Sequence, residues 1–191
     1  VLAATTSINI ISPYFVPGDE VTAALIGAAS SGKQVRILTN SLVANDVAAV
    51  HGGYSRYRRP LLKGGLQLWE LKPAGSAAGS SLFGSSGASL HTKALSTDRQ
   101  QLFVGSYNVD PRSTWLNCEQ GVLVDDAVLA GQLDGIFETQ TTGQHAWEVT
   151  LKDGEMAWSD GKESFTSDPK ASAWRRLQAW MTRVLRLDAQ L

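Results

Sequence analysis

The side chains best suited to chemistry in this sequence fall between His91 and Glu119. His91 and Lys93 stand two apart, Asp98 comes after four residues, and Gly105-Ser106-Tyr107-Asn108 comes after six more. A neutral imidazole can attack phosphorus and form a covalent intermediate, and as imidazolium it can protonate a leaving oxygen. Lys93 offers positive charge to non-bridging oxygens. Asn108 adds amide donors without net charge, and Ser106 adds a hydroxyl. Phosphoryl transfer rests largely on such placed donors. Gly105 lets a substrate or a facing backbone come close. The set suits a phosphodiester.

Those groups need a frame. Residues 89–96 and 101–108 read as two strands around a turn at Thr97-Asp98-Arg99-Gln100. In that hairpin His91 falls opposite Ser106 and Lys93 opposite Val104. Side chains two apart on a strand share a face, so one surface would display His91, Lys93, Ser106 and Asn108, with Leu90, Thr92 and Ala94 behind. A working histidine also needs a partner on its second nitrogen. Asp98 and Glu119 compete for that role. Asp98 sits at the far end of the hairpin, whereas Glu119 leads into a short strand, Gly121 to Val124, that can lie beside it. Glu119 is the favoured partner, and Asp98 is expected to cap or pin the turn, against Arg99 or Arg112.

The rest of the chain reads as alternating strands and helices, hence an α/β fold with layered packing. Strands are expected over Ile8–Phe15, Val35–Thr39 and Leu66–Leu71. Helices are expected after Asp19 as cap, with Val21, Leu25 and Ile26 inward, and after Asn45 or Asp46, running toward Arg59 until Pro60 puts its continuity in question. A Gly/Ala/Ser-rich stretch, 73 to 89, reads as a surface loop or a lip beside the His91 strand. Ala127–Thr139 is a helix. Ala146–Leu151 and Glu155–Trp158 form a hairpin around Asp153-Gly154, and Lys170–Leu187 is a helix. The organisation expected is one unit over 1–145 and a hairpin plus helix over 146–191 packed on it.

Composition narrows the classes. The 191 residues are 43% hydrophobic and 18% charged, which is globular, and the formal net charge of -1 offers no global field for nucleic acid. One cysteine, Cys118, precludes an internal disulfide framework. No Cys/His cluster has zinc spacing and no Asp/Glu spacing suggests a two-metal site, so no metal site is expected. No apolar run is long enough to span a bilayer. The chain opens on Val1 rather than Met, which suggests a processed or truncated chain.

The run His91-Thr92-Lys93, Asp98, Gly105-Ser106-Tyr107-Asn108 resembles the HKD motif of the phospholipase D superfamily, and Arg112-Ser113 and Glu119 match the residues usually found just after that motif. Ser12-Pro13-Tyr14-Phe15-Val16-Pro17 looks like the strand that opens the second half of bacterial cardiolipin synthases. Val50-His51-Gly52-Gly53-Tyr54, Tyr57-Arg58 and Leu68-Trp69-Glu70 are similar to the cardiolipin synthase C branch. The resemblance implies an α/β sandwich around a mixed sheet, with two HKD motifs facing across one site. One histidine becomes phosphohistidine and the other acts as general acid, then base. It implies phospholipid substrates (phosphatidylglycerol, with phosphatidylethanolamine as a second candidate), no cofactor, and a peripheral place on the cytoplasmic face of a bacterial membrane. By position His91 is nucleophile or general acid, Lys93, Ser106 and Asn108 bind phosphate, and Glu119 orients His91.

This sequence departs from the pattern in carrying one HKD motif. Position 147, two residues after His145, is Trp rather than Lys, and His51 is followed by Gly52-Gly53. The chain is therefore expected to be a C-terminal half whose partner is the N-terminal HKD half or a second copy. A dimeric superfamily nuclease and a non-catalytic lipid-binding module are the alternatives. His51 and Tyr54, with Tyr57, are candidates for a head-group pocket. Arg56, Arg58, Arg59 and Lys63 read as a solvated basic face or a lipid contact. The C-terminal helix, with Trp174, Trp180 and several arginines, is expected to dock on the domain and hide Trp174 and Leu177; an interfacial helix would leave them exposed.

Overall fold

The computed structural model describes residues 4–73 and 90–185. From position 74 onward the Gly/Ala/Ser-rich stretch lies outside them. Three strands, β1 (Ser7–Ile11), β2 (Gln34–Asn40) and β3 (Gln67–Leu71), pair in parallel. Parallel pairing needs long crossovers, and α1 (Gly18–Ser30) and α2 (Ala48–Lys63) supply them. On one flank β4 (Lys93–Thr97), β5 (Gln101–Gly105) and β6 (Gly121–Asp125) add antiparallel strands outward from β1. On the other flank β7 (Ala146–Lys152), β8 (Glu155–Ser159) and β9 (Ser164–Phe165) add outward from β3. Among the described residues the result is a nine-stranded mixed sheet in the order β6-β5-β4-β1-β2-β3-β7-β8-β9. A short α3 (Pro111–Trp115) precedes β6, α4 (Ala127–Gln140) comes after it, and α5 (Ala173–Leu185) comes last.

Strand alternation divides the core. Ile8, Ile10, Val35, Ile37, Leu68, Trp147 and Val149 face α1 and α2, with Leu25, Tyr54 and Leu61 from the helices. Ile11, Leu38, Leu71 and Ala94 face the opposite side, against Ala130, Leu133 and Phe137 of α4. The α/β class expected from the sequence is this sheet between helices. The Asp153-Gly154 hairpin turn is made with positive φ at both residues (52° and 80°), the conformation that favours Asp-Gly there.

Four expectations change. Pro17, not Asp19, caps α1; Asp19 lies in the first turn, where its charge meets the positive helix end, and Val21 is exposed. Asn45 accepts from the Val47 backbone N–H (3.0 Å) ahead of α2, which continues through Pro60 to Lys63. Arg58 is buried rather than on a solvated face. Helix α5 docks on α2, but through Ala179 and Thr182, leaving Trp174 and Leu177 exposed. Gly52 makes that approach possible, since a Cβ there would meet the Ala179 carbonyl at 2.4 Å.

The β4–β5 hairpin also differs in register. Thr97 pairs with Gln101 and Lys93 with Gly105, one residue off the expected pairing. The turn takes the three residues between Thr97 and Gln101, with Asp98 and Arg99 both at φ 55°. A slip of one residue exchanges faces. Lys93 therefore shares its face with Gly105, and His91, Ser106 and Asn108 lie beyond the strand ends.

Asp98 pins this turn, though not against Arg99 or Arg112. Its carboxylate accepts from the backbone N–H groups of Thr5 (2.7 Å), Thr6 (2.7 Å) and Ser7 (2.9 Å) and from both threonine hydroxyls (2.9 Å each). Burial works to raise its pKa, but the bonds from Ser7, Thr6 and Thr5 outweigh it and hold the carboxyl well below its usual range. Asp98→Asn should lower unfolding free energy by about 1–2 kcal/mol at neutral pH, a figure discounted for solvent contact. A depressed folded-state pKa contributes stability that is full above the unfolded value, about 3.9, and fades as pH falls toward the folded one. Urea unfolding across pH should therefore show the difference at about pH 6 and its shrinkage below about pH 4.

Candidate active site

The C-terminal end of β5 and the N-terminal end of β4 meet the start of β6, and the candidate groups gather there. Lys93 is buried, and its Nζ donates to the His91 carbonyl oxygen at 2.9 Å. Burial lowers the Lys93 pKa, while Glu119 and Asp110 work to raise it. His91 itself is exposed, one step past the buried Leu90. Leu90 is fixed by two bonds with the Asn40 amide at the end of β2 (3.0 and 3.2 Å). The chain entering the motif is thus tied to the parallel strands.

Glu119 is the node of this region. It accepts from the Ser106 hydroxyl, from Ser113 Oγ (2.8 Å) and from Asn117 Nδ2 (3.1 Å). These bonds, Ser106 first, lower its pKa and keep it ionised. Among the described residues no hydrogen bond joins Glu119 to the His91 ring; the partners of Glu119 are Ser106, Ser113 and Asn117. Ser106 is held further by backbone, donating its N–H to the Gln120 carbonyl (2.8 Å) and accepting from the Gln120 N–H (2.9 Å). Gly105 permits this closeness, since a Cβ would meet the Gln120 carbonyl at 2.3 Å.

Two serines named above only within the family resemblance, without a role, hold the site's backbone. Ser113 Oγ accepts from the Asn108 backbone N–H (3.2 Å) while donating to Glu119, and Ser12 Oγ accepts from the Val109 N–H (3.1 Å). The signal for Ser113 was present. Asp110-Pro111-Arg112-Ser113 is a helix start with its cap and its N1 proline, and Asp110 accepts from the Ser113 N–H at 2.7 Å. Asn108 Oδ1 is buried with no hydrogen-bond partner among the described residues. Asp98 lies at the other end of the hairpin, on Thr5–Ser7.

His51 and Tyr54 belong to a different set from the His91 end. Tyr54 packs in the core, its ring edge-on to Phe15 and His51. His51 Nε2 lies 3.1 Å from Asp168 and contacts Arg58. Arg58 pairs with Glu70 (2.8 Å) and Asp168 (2.7 Å) and sits over the rings of Tyr54 and Trp158, and Trp158 Nε1 donates to Glu70 at 3.0 Å. His51, Glu70 and Asp168 converge closely enough to suggest metal ligation, but the Arg58 guanidinium already bonds both carboxylates. Burial works to raise the Asp168 pKa, yet the Arg58 charge and the His51 bond hold it far below the usual range.

With this geometry established, comparison with known proteins settles kinship. Residues 2–141 match the family described as "Cardiolipin synthase, PLD-like domain". The chain belongs to that family. It is 40% identical over 190 residues to cardiolipin synthase C of Escherichia coli (strain K12), covering 95% of this chain and 40% of that one, so it spans well under half the length of this relative. Among solved structures, phosphatidylserine synthase of Haemophilus influenzae Rd KW20 superposes over 98% of this chain and 40% of its own (TM-score 0.62, 17% identity). Nuc, a phospholipase D family member from Salmonella typhimurium, superposes over 75% of this chain and 82% of its own (TM-score 0.57, 19% identity). Both establish the same fold.

In this phospholipase D-like domain, the Arg58 cluster gives a direct stability test. Removing one partner of a buried ion network leaves charges uncompensated. Arg58→Ala should destabilise the domain by about 3–5 kcal/mol in urea unfolding, whereas His51→Ala, which leaves both Arg58–carboxylate pairs in place, should cost less.

Proposed function

We propose that this chain contributes one half of a phosphatidyltransferase site of cardiolipin synthase type, with His91 as one histidine of a facing pair. One histidine attacks the phosphorus of a phospholipid, forming a P–N bond as the P–O bond to the first alcohol breaks; the other gives that alcohol its proton. The second histidine then takes the proton of an incoming lipid alcohol, which attacks phosphorus and releases the first. The observation that carries this reading is the placement of Lys93. Its buried ammonium is held 2.9 Å from the His91 carbonyl, at the edge of the Glu119-centred network that fixes Ser106. A positive charge so placed stabilises the negative charge on a phosphoryl group. The unpartnered Asn108 Oδ1 adds a buried polar atom at the same end, of the kind that concentrates at functional sites.

A second histidine must come from outside this chain's motif. The edge beside the site supports a partner there: Val104 and Val122 are exposed as a cross-strand pair on one face of β5 and β6, Leu123 is exposed on the other face, and Trp115 and Leu116 are exposed at the end of α3. Large apolar side chains left exposed at one sheet edge suit an interaction site. We assign it to the half bearing the opposing HKD motif, or to a second copy.

The test joins this segment to its upstream half and supplies vesicles of phosphatidylglycerol with phosphatidylethanolamine. Cardiolipin should form, and His91→Ala or Lys93→Ala should each reduce its rate by about a hundredfold or more. Unchanged product with His91→Ala would remove His91 from the reaction. DNA nicking without lipid turnover would move the reading to a superfamily nuclease.

A further inference from the structure

Helix α5 carries its large apolar residues on the side turned away from the protein. On a helical projection Trp174, Leu177, Trp180, Met181 and Val184 fall within an arc of roughly 120°. Trp174 is 63% exposed, Leu177 43%, Trp180 56% and Val184 55%. The opposite side, with Ala179 and Thr182, is the one packed on Gly52 of α2. A docked amphipathic helix ordinarily buries its apolar stripe. Here small residues make the docking contact and the stripe is left outward.

Arginines line the seam between these two sides. Arg176 and Arg183 project along it into a cavity of about 550 Å³ between α2, the β8–β9 segment and α5. Arg56, Arg59 and Trp180 also line that cavity. Among the described residues its wall carries five arginines against two carboxylates, Asp168 and Glu155. Arg58 is neutralised by Asp168 and Glu70, and Arg59 pairs with Glu155 at 3.7 Å, so the net positive charge of the wall comes from the other arginines. The excess of positive charge is therefore local, although the chain as a whole has a formal net charge of -1.

We infer that α5 is a membrane-docking element: its outward ridge inserts among the acyl chains at the surface of an anionic phospholipid bilayer, while the arginine-lined cavity beside it receives phosphate head groups. Trp and aliphatic side chains on one side with arginines bordering them match the chemistry of a helix lying in a bilayer interface. An anionic leaflet supplies the complementary charge. No helix among the described residues is long and apolar enough to cross a membrane, so the contact is with its surface.

The inference stands apart from the reaction assigned to His91, and co-sedimentation with vesicles tests it separately. The chain should pellet with vesicles of phosphatidylglycerol and phosphatidylcholine, and more weakly with phosphatidylcholine alone. Leu177→Gln with Val184→Gln should weaken binding at least about tenfold, with unchanged circular dichroism and melting because both sites are exposed. Arg176→Gln with Arg183→Gln should weaken binding to the anionic vesicles by about 25-fold, roughly fivefold per charge, and leave the phosphatidylcholine value unchanged. His91→Ala should bind like the parent chain. Failure of the parent to pellet, or equal pelleting of the Leu177/Val184 variant, overturns the inference. So does sedimentation velocity showing a lipid-free dimer that this variant dissolves while vesicle binding persists, since a second copy would then be what covers the ridge.

Discussion

The geometry of the candidate site depends on one carboxylate that takes no part in it. Asp98 gathers five hydrogen bonds from Thr5, Thr6 and Ser7. It thereby ties the β4–β5 turn to the start of β1, the strand against which β4 pairs. With Asp98 and Arg99 both in the left-handed region, the turn takes three residues, and this sets the pairing of Lys93 with Gly105. Had the turn been one residue shorter or longer, with β4 still held by β1, the side chains of β5 would have exchanged faces, and Lys93 would share its side with Leu102 and Val104 instead of Phe103 and Gly105. A polar residue at a loop tip thus helps decide, from the far end of the strand, which residues of β5 lie beside the buried ammonium.

A second carboxylate organises the other end. Glu119 draws in Ser106, Ser113 and Asn117, and through Ser113 it reaches the backbone of Asn108. Asp110 prepares this by capping α3, and the Ser12 hydroxyl holds Val109 to the segment after β1. The motif residues are therefore positioned by serines and caps on neighbouring segments rather than by strand alternation. Preorganisation of this kind lets donors act on developing charge without rearranging.

Much of the fold was legible because it obeys periodicity. Strand and helix alternation pointed to the α/β class, and Leu90 and Ala94 do pack behind the motif with α4. Asp153-Gly154 marked its hairpin through turn chemistry alone. What periodicity could not supply was the count of residues in the Asp98 turn, because two non-glycine residues with positive φ are uncommon enough to be invisible in sequence. Glu119 was legible as a charged group near the motif, but its partners were not. Choosing between His91 and three polar side chains requires knowing where α3 places Ser113. Arg58 was misread for a related reason: a basic run looks solvated until Glu70 and Asp168, distant in sequence, are seen to surround one member of it.

The Arg58 cluster ties the seat of α5 to the sheet. It joins α2 to β3 through Glu70, and to the segment ahead of α5 through Asp168, so the seat of α5 is fixed by a network buried between them. A charged network is a poor source of net stability, but its fixed directions suit it to specifying one arrangement of packed helices. The exposed residues of β5, β6 and α3 lie toward the opposite edge, since β6 ends the strand order on one side and β7, β8 and β9 end it on the other. A protein partner seated at the β6 edge would leave the α5 ridge uncovered. Two separate apolar surfaces on one small domain each need an occupant, and their separation across the sheet allows a facing half-site and a bilayer to be engaged together.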